Sequence, residues 1–295
     1  MPRVPVPLVN DPLHTGHPED AVPRPDHHIG LIVPSSNLTM ETELPRMLYA
    51  RESVLPEDRF VFHSSRMRMQ HVTPEQLRAM NAQTGRAARE LADARPDVVA
   101  TACLVAIMAQ GPGHHCTAED EITTVLRDQG APAPVVSSAG ALLDGIRALG
   151  ARRVAIITPY MKPLTRLVAE YIEDAGTEVV DALSLEVPDN LAVARLDPDD
   201  LRTHWRRLDL ARADALVLSA CVQMPSLASV QPVEDAAGLP VLSAATATAY
   251  RVLAALELPT FVPGAGSLLS GRIHRPAGAA GPLPSGGAAI GDAGP

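Results

Sequence analysis

Aromatic side chains are scarce in this chain: Phe, Trp and Tyr supply 3% of 295 residues, with a single Trp. A protein that stacks nucleic-acid bases needs more of them, together with a surplus of Lys and Arg, whereas the net charge here is −9. No nucleic-acid partner is expected. Long hydrophobic runs are also missing; nothing approaches the roughly 18 apolar residues of a membrane span, so no membrane partner is expected. The opening MPRVPVPLVNDPLHTGHPED has Pro, Asn and Asp where a signal peptide carries an apolar stretch, which predicts a cytoplasmic location. Cysteine is the third scarcity. Three residues in a chain of this length make no disulfide framework, and a reducing compartment keeps them as thiols, so the question becomes which of them react. A nucleotide fingerprint is lacking too: the GAG at residues 264–266 has neither the strand nor the spacing, and no NAD or ATP site is expected.

What is present suffices for a well-filled core, since 46% of the residues are apolar. Residues 1–27, rich in Pro and His, and the Gly, Ala and Pro tail over 272–295 show no periodicity and are read as disordered. Between them short β-rich runs alternate with helical patterns. IGLIV (29–33), RFVFHSS (59–65), DVVATA (97–102) and PVVSS (134–138) predict four strands, and RVAIIT, EVVDALSLE, DALVLSA and PVLSA predict four more. The stretch TPEQLRAMNAQTGRAARELADA predicts one helix, with Thr73 as N-cap and Pro74 in its first turn. The order repeats: Pro34 aligns with Pro159, Cys103 with Cys221 and Pro134 with Pro240, although Asp97 and Asp214 fall one residue out of register. An α/β fold follows, with two pseudo-symmetric subdomains over 28–137 and 138–271. Each has a four-stranded parallel sheet, and the active site lies in the cleft between them. The helix after Pro134 is expected to cross towards the other half.

Two of the three cysteines end equivalent strands, in VVATACLVAIMAQGPG and ALVLSACVQMPS. Alone, a cysteine beside a strand is usually a small hydrophobe. In matching places of two facing halves, two thiols oppose each other across a cleft, where one can act as base or nucleophile in its thiolate form and the other as acid. The run His114, His115, Cys116 offers three ligand-type residues in succession, which cannot converge on one tetrahedral ion, so no metal is expected. Arg66 and Arg68 sit beside a strand end, where attraction of an anionic substrate and plain solvation are equally good readings. The methionines around them are read as packing.

The segments IGLIVPSSNLTMETELPRML, FHSSRMRMQHVT, ACLVAIMAQGPG, VSSAGALLDGIRALGARRVAIITPYMKPLTR, EVPDN and LVLSACVQMPSL together resemble the maleate cis-trans isomerase family of the Asp/Glu racemase superfamily, over most of residues 29–271. The resemblance implies a cofactor-free isomerisation of maleate to fumarate by a homodimer. Cys103 would add to the double bond as nucleophile, giving a succinyl-cysteine, and Cys221 would act as proton donor and acceptor. It also places Asn37, Tyr160 and Asn190 at carboxylate-binding positions. Chemistry supports this, because Asn37 and Tyr160 lie just past equivalent strands, are expected in equivalent positions of the two halves, and a dicarboxylate needs donors at both ends. Backbone N–H groups of Leu104, Val105, Val222 and Gln223 are further candidates for the anion. For Asn190 a turn residue, and for Tyr160 a structural tyrosine, are competing readings. Two other functions remain open. A two-cysteine amino-acid racemase would need an acid for the α-ammonium group, with Glu41 and Glu43 the nearest, and a non-catalytic dicarboxylate-binding protein would not need the thiols.

Overall fold

The structure is a computed structural model describing residues 26–273. The tails read as disordered lie outside the described residues except at their inner ends, where Asp26 and His27 belong to the first strand and Asp26 meets Arg59 at 3.0 Å. The first half runs β1 (Asp26–Pro34), α1 (Met40–Glu52), β2 (Arg59–Met67), α2 (Pro74–Asn81), α3 (Thr84–Ala92), β3 (Val98–Thr101), α4 (Leu104–Met108), α5 (His114–Asp128) and β4 (Val135–Ser137). The second runs α6 (Ser138–Ala148), β5 (Arg153–Thr158), α7 (Lys162–Asp174), β6 (Glu178–Ser184), α8 (Asn190–Val193), α9 (Leu201–His204), β7 (Ala215–Ser219), α10 (Leu227–Ala237), β8 (Val241–Ser243) and α11 (Ala244–Ala255). Each half folds into a four-stranded sheet, ordered β2-β1-β3-β4 and β6-β5-β7-β8, with every pairing parallel. The inner strands are buried end to end in their apolar stretches because helices cover both sheet faces, which is why they read as continuous rather than alternating runs.

The expected repeat is visible bond by bond. Asp97 N–H donates to the His28 carbonyl, and the Asp97 carboxylate accepts from His28 N–H at 2.7 Å. Asp214 makes the same pair of contacts with Arg153. At the other strand end Ala102 N–H reaches the Ile32 carbonyl and Ala220 N–H the Ile157 carbonyl. The aspartates are therefore structurally equivalent, and the one-residue offset in the sequence has a local cause. β3 pairs with β4 without a break, whereas the β7–β8 register shifts between Val217 and Ser219, leaving Leu218 as an extra residue. This bulge returns Cys221 to the place that Cys103 occupies in the first half.

The same register corrects one expectation. With Ile32 equivalent to Ile157, Tyr160 matches Ser35 rather than Asn37, so the two polar groups enter the cleft from neighbouring, not identical, positions. A second correction concerns the helix over 73–94, which is two helices. Thr73 caps α2, accepting from Gln76 N–H, but the run ends at Asn81. The Gln83 side chain instead brackets the Arg68 peptide, accepting from its N–H at 3.0 Å and donating to its carbonyl at 3.3 Å. The nearest breaker residue, Gly85, falls inside the second helix and not at the break.

Helices α6 and α11 join the halves. Each starts at a serine N-cap, Ser137 and Ser243, whose hydroxyls accept from Gly140 and Thr246 N–H. They pack on each other so closely that a Cβ on Gly145 would lie 3.1 Å from the Leu242 and Leu268 side chains and 3.2 Å from Ala247. A further tie runs from α1, where the fully buried Arg51 holds Asp58 at 2.7 Å and the carbonyls of Pro259 and Phe261 at 2.7 and 2.8 Å. A guanidinium buried this deeply is tolerated only because its donors are paired.

Candidate active site

The carboxyl ends of β1 and β3 in one half, and of β5 and β7 in the other, face a cleft of about 20 Å³. Its walls are Pro34, Asn37, Met69, Val72, Cys103, Leu104, Val105, Tyr160, Asn190, Cys221, Val222 and Gln223, so every residue expected at the site lies in it. Met69 and Val72 are additions. The loop between β2 and α2 brings them over the cleft, and nothing in their side chains distinguished them from packing residues in the sequence. Cys116 is exposed and lies elsewhere.

Cys103 stands between β3 and α4 with φ 78° and ψ 61°, a left-handed conformation that L residues adopt at a cost of about 1–3 kcal/mol and that clusters at functional sites. The turn ends the strand and starts the helix at one residue, which holds the cysteine at the cleft wall with 8% of its surface exposed. Cys221 is 5% exposed and is followed by a turn instead of a helix. Burial pushes the Cys103 thiol up to about 12, with the backbone N–H of Ala106 opposing and the nearby Cys221 adding to the rise. Burial raises Cys221 as well, but three donors oppose it: the Tyr160 hydroxyl and the backbone N–H groups of Gln223 and Met224. The two thiols are thus electrostatically unequal, and the thiolate of Cys221 is the better supported.

Neighbouring polar groups are held by bonds that cross between the halves. Asn37 Oδ1 accepts from the N–H groups of Thr39 and Met40, which caps α1 and leaves Nδ2 as the group it can offer to the cleft. Asn190 donates to Ser36 Oγ at 2.8 Å. The Gln223 side chain is a strap: Oε1 accepts from Leu38 N–H, and Nε2 donates to the carbonyls of Ser36 and Asn190. Its backbone N–H, expected to face the anion, points at Cys221 Sγ at 3.3 Å. Gln223 therefore shapes the cleft and steadies a thiol, and the amide it was expected to lend to substrate is already engaged. Tyr160, buried with its ring in the wall, gives its hydroxyl to Cys221, and burial raises its own pKa well above the usual tyrosine range.

The acidic candidates are occupied elsewhere. Glu41 pairs with Arg66, whose guanidinium also holds the carbonyls of Ser35 and Asn37. Glu43 is buried and accepts from the N–H groups of Ser226 and Leu227, both at 2.7 Å, closing the start of α10 from the other half. Arg66 thereby builds the Ser35–Asn37 turn, while Arg68 is exposed and does not line the cleft. His115 accepts from or donates to the Tyr171 hydroxyl at 2.7 Å. Among the described residues no group of three or more His, Cys, Asp or Glu side chains is placed to hold a metal.

The family pattern described as arylmalonate decarboxylase matches residues 29–269. A maleate isomerase of Geobacillus stearothermophilus is 60% identical over 83% of this chain and 97% of its own length. The crystal structure of a maleate isomerase variant from Pseudomonas putida S16 with maleate superimposes with a TM-score of 0.83 at 54% identity, covering 84% of this chain and 99% of that one. A Nocardia farcinica maleate cis-trans isomerase, in which one cysteine is replaced by serine, carries a covalently bound succinylcysteine intermediate; it superimposes at 0.80 with 51% identity over 83% of this chain and 98% of that one. With a cleft lined by two cysteines at paired strand ends and relatives at this level of identity along nearly their whole length, the chain belongs to the maleate isomerase family.

Proposed function

We propose that this protein converts maleate to fumarate without a cofactor, with Cys103 as nucleophile and Cys221 as proton donor and acceptor. The Cys103 thiolate adds to one alkene carbon while the Cys221 thiol protonates the other, giving a succinyl-Cys103 adduct and a Cys221 thiolate. Rotation about the former double bond, now single, brings the carboxylates apart. Cys221 then takes a proton back from carbon, the C–S bond breaks, and fumarate leaves. Asn37 Nδ2, Asn190 and the first-turn amides of Leu104 and Val105, together with Val222 at the opposite wall, receive the carboxylates. The observation that carries this reading is the pair of buried thiols in a cleft with no acidic side chain among its lining residues. A racemase needs an anionic partner for an α-ammonium group, and Glu41 and Glu43 are committed to other contacts. The working protein is read as a cytoplasmic homodimer, on family resemblance; among the described residues no helix is long and apolar enough to cross a membrane. Incubating the purified protein with maleate and no added cofactor should yield fumarate, and absence of fumarate from folded protein overturns the proposal.

Tyr160→Phe separates a site role from a packing role, because it keeps the ring and deletes the hydroxyl. Removing one hydrogen bond to a charged group costs about 1.5–3 kcal/mol, roughly tenfold to somewhat over a hundredfold in kcat/KM, with little change in Tm. The hydroxyl opposes the rise of the Cys221 pKa, so its loss raises that pKa further and moves any limb of the pH–rate profile belonging to Cys221 to higher pH. An unchanged kcat/KM and profile would assign Tyr160 to packing alone.

A further inference from the structure

Cys103 has a second face. Behind it lies a cavity of about 50 Å³ bounded by Met67, Asn81, Thr84, Thr101, Ala102, Ile107, His114, Ala118, Glu121 and Ile122, and Cys103 is the residue that lines both this cavity and the cleft. An ordered water needs on the order of 10–15 Å³ and two or more polar partners. The volume suffices, and Asn81, Thr84 and Thr101 bring amide and hydroxyl groups to the walls; these donate at 3.4 Å to the Ala106 carbonyl, the Met67 sulfur and the Ala102 carbonyl, and their oxygens keep the capacity to accept from a water. The outer end is formed by α5. His114, Ala118, Glu121 and Ile122 recur at helical spacing and share one face, with His114 half-buried and Glu121 exposed at the solvent side.

The proposed reaction creates a need for such a route. Cys221 supplies and recovers the proton that moves on and off carbon, so it cannot also keep the proton that Cys103 must lose before its first attack. No His or carboxylate side chain lines the cleft. The geometry points to His114 as the group that takes the Cys103 proton, through water held in the rear cavity. The S–H bond of Cys103 breaks, its proton passes to a water, and a proton of that water bonds to the free ring nitrogen of His114. The result is a thiolate with an imidazolium on the far side of the cavity and Glu121 lining the same space. When fumarate leaves, the sulfur is released as thiolate, ready for the next addition. This inference rests on the reading of Cys103 as nucleophile, and it gives a task to one of the histidines that form no metal site.

The test compares wild type, His114→Ala and Ala118→Leu by two readouts, with and without added imidazole. One is the rate at which iodoacetamide alkylates Cys103, followed by peptide mass spectrometry; the other is kcat/KM for maleate. His114→Ala should lose about tenfold or more in both, since a general base typically contributes 100-fold or more when in direct contact and acts here through water. Imidazole should return most of that loss. Ala118→Leu fills the water space and should lose in both readouts without return by imidazole; if that variant does not fold, the His114→Ala comparison decides alone. Unchanged alkylation and kcat/KM in His114→Ala, or a loss that imidazole does not return, overturns the proposal. Failure of the wild type to act on maleate counts against the isomerase reading instead, and the alkylation arm still judges His114.

Discussion

Cys103→Ala should abolish isomerisation altogether, and Cys103→Ser should nearly do so. Without a nucleophile no single bond forms between the alkene carbons, and a double bond does not rotate at a useful rate. A serine hydroxyl offers the same geometry, but its far higher pKa leaves too little alkoxide to attack unaided. The site is already a hard place to ionise a thiol, with burial pushing Cys103 up to about 12, and a dianionic substrate opposes the thiolate further, so the proton has to be drawn off through the rear water route. The rate should accordingly rise with pH on its acidic side, where loss of the thiol proton limits the active fraction. Mass spectrometry of quenched wild-type enzyme should find the succinyl group on Cys103. An adduct exclusively on Cys221, whose thiolate has three donors, would reverse the two roles.

The second large effect belongs to Cys221→Ser. Removing a general acid and base typically costs about 100-fold or more, and serine is too weak an acid to take over. Both the protonation that completes the adduct and the deprotonation that resolves it should slow, so the variant should produce little fumarate. In D2O the wild type should place deuterium on a vinylic carbon of some product molecules, through exchange at the Cys221 sulfur. Retention of the original hydrogen fits internal return of the same proton; a fully active Cys221→Ser does not fit the assignment.

Much of this was legible in the sequence because parallel strands buried on both faces leave unbroken apolar runs, and the second run of such strands repeats the first. The cysteines were legible for the same reason, as polar residues at a repeated place. What escaped was set by contacts distant in sequence. The break at Gln83 depends on the peptide of Arg68, and the one nearby glycine, Gly85, lies inside the second helix. Met69 and Val72 have no chemistry to advertise, and only the loop path puts them over the cleft. The direction of the Gln223 backbone amide was not legible because its acceptor, Cys221 Sγ, lies two residues back in a turn whose shape the sequence does not specify. Asn37 and Tyr160 both follow the strand-end prolines closely, but the hydrogen-bond ladder pairs Tyr160 with Ser35.

The left-handed turn at Cys103 has a stereochemical consequence. Maleate is itself two-fold symmetric, and a site of two identical halves would present it with identical thiols, so that either could serve as nucleophile. The left-handed backbone at Cys103, which Cys221 does not share, and the donors gathered at Cys221 remove that equivalence. A symmetric molecule bound there acquires two distinguishable ends, and one face of one carbon is offered to sulfur. The succinyl group on Cys103 should therefore carry a single configuration at the carbon bonded to sulfur, although neither maleate nor fumarate keeps any record of it.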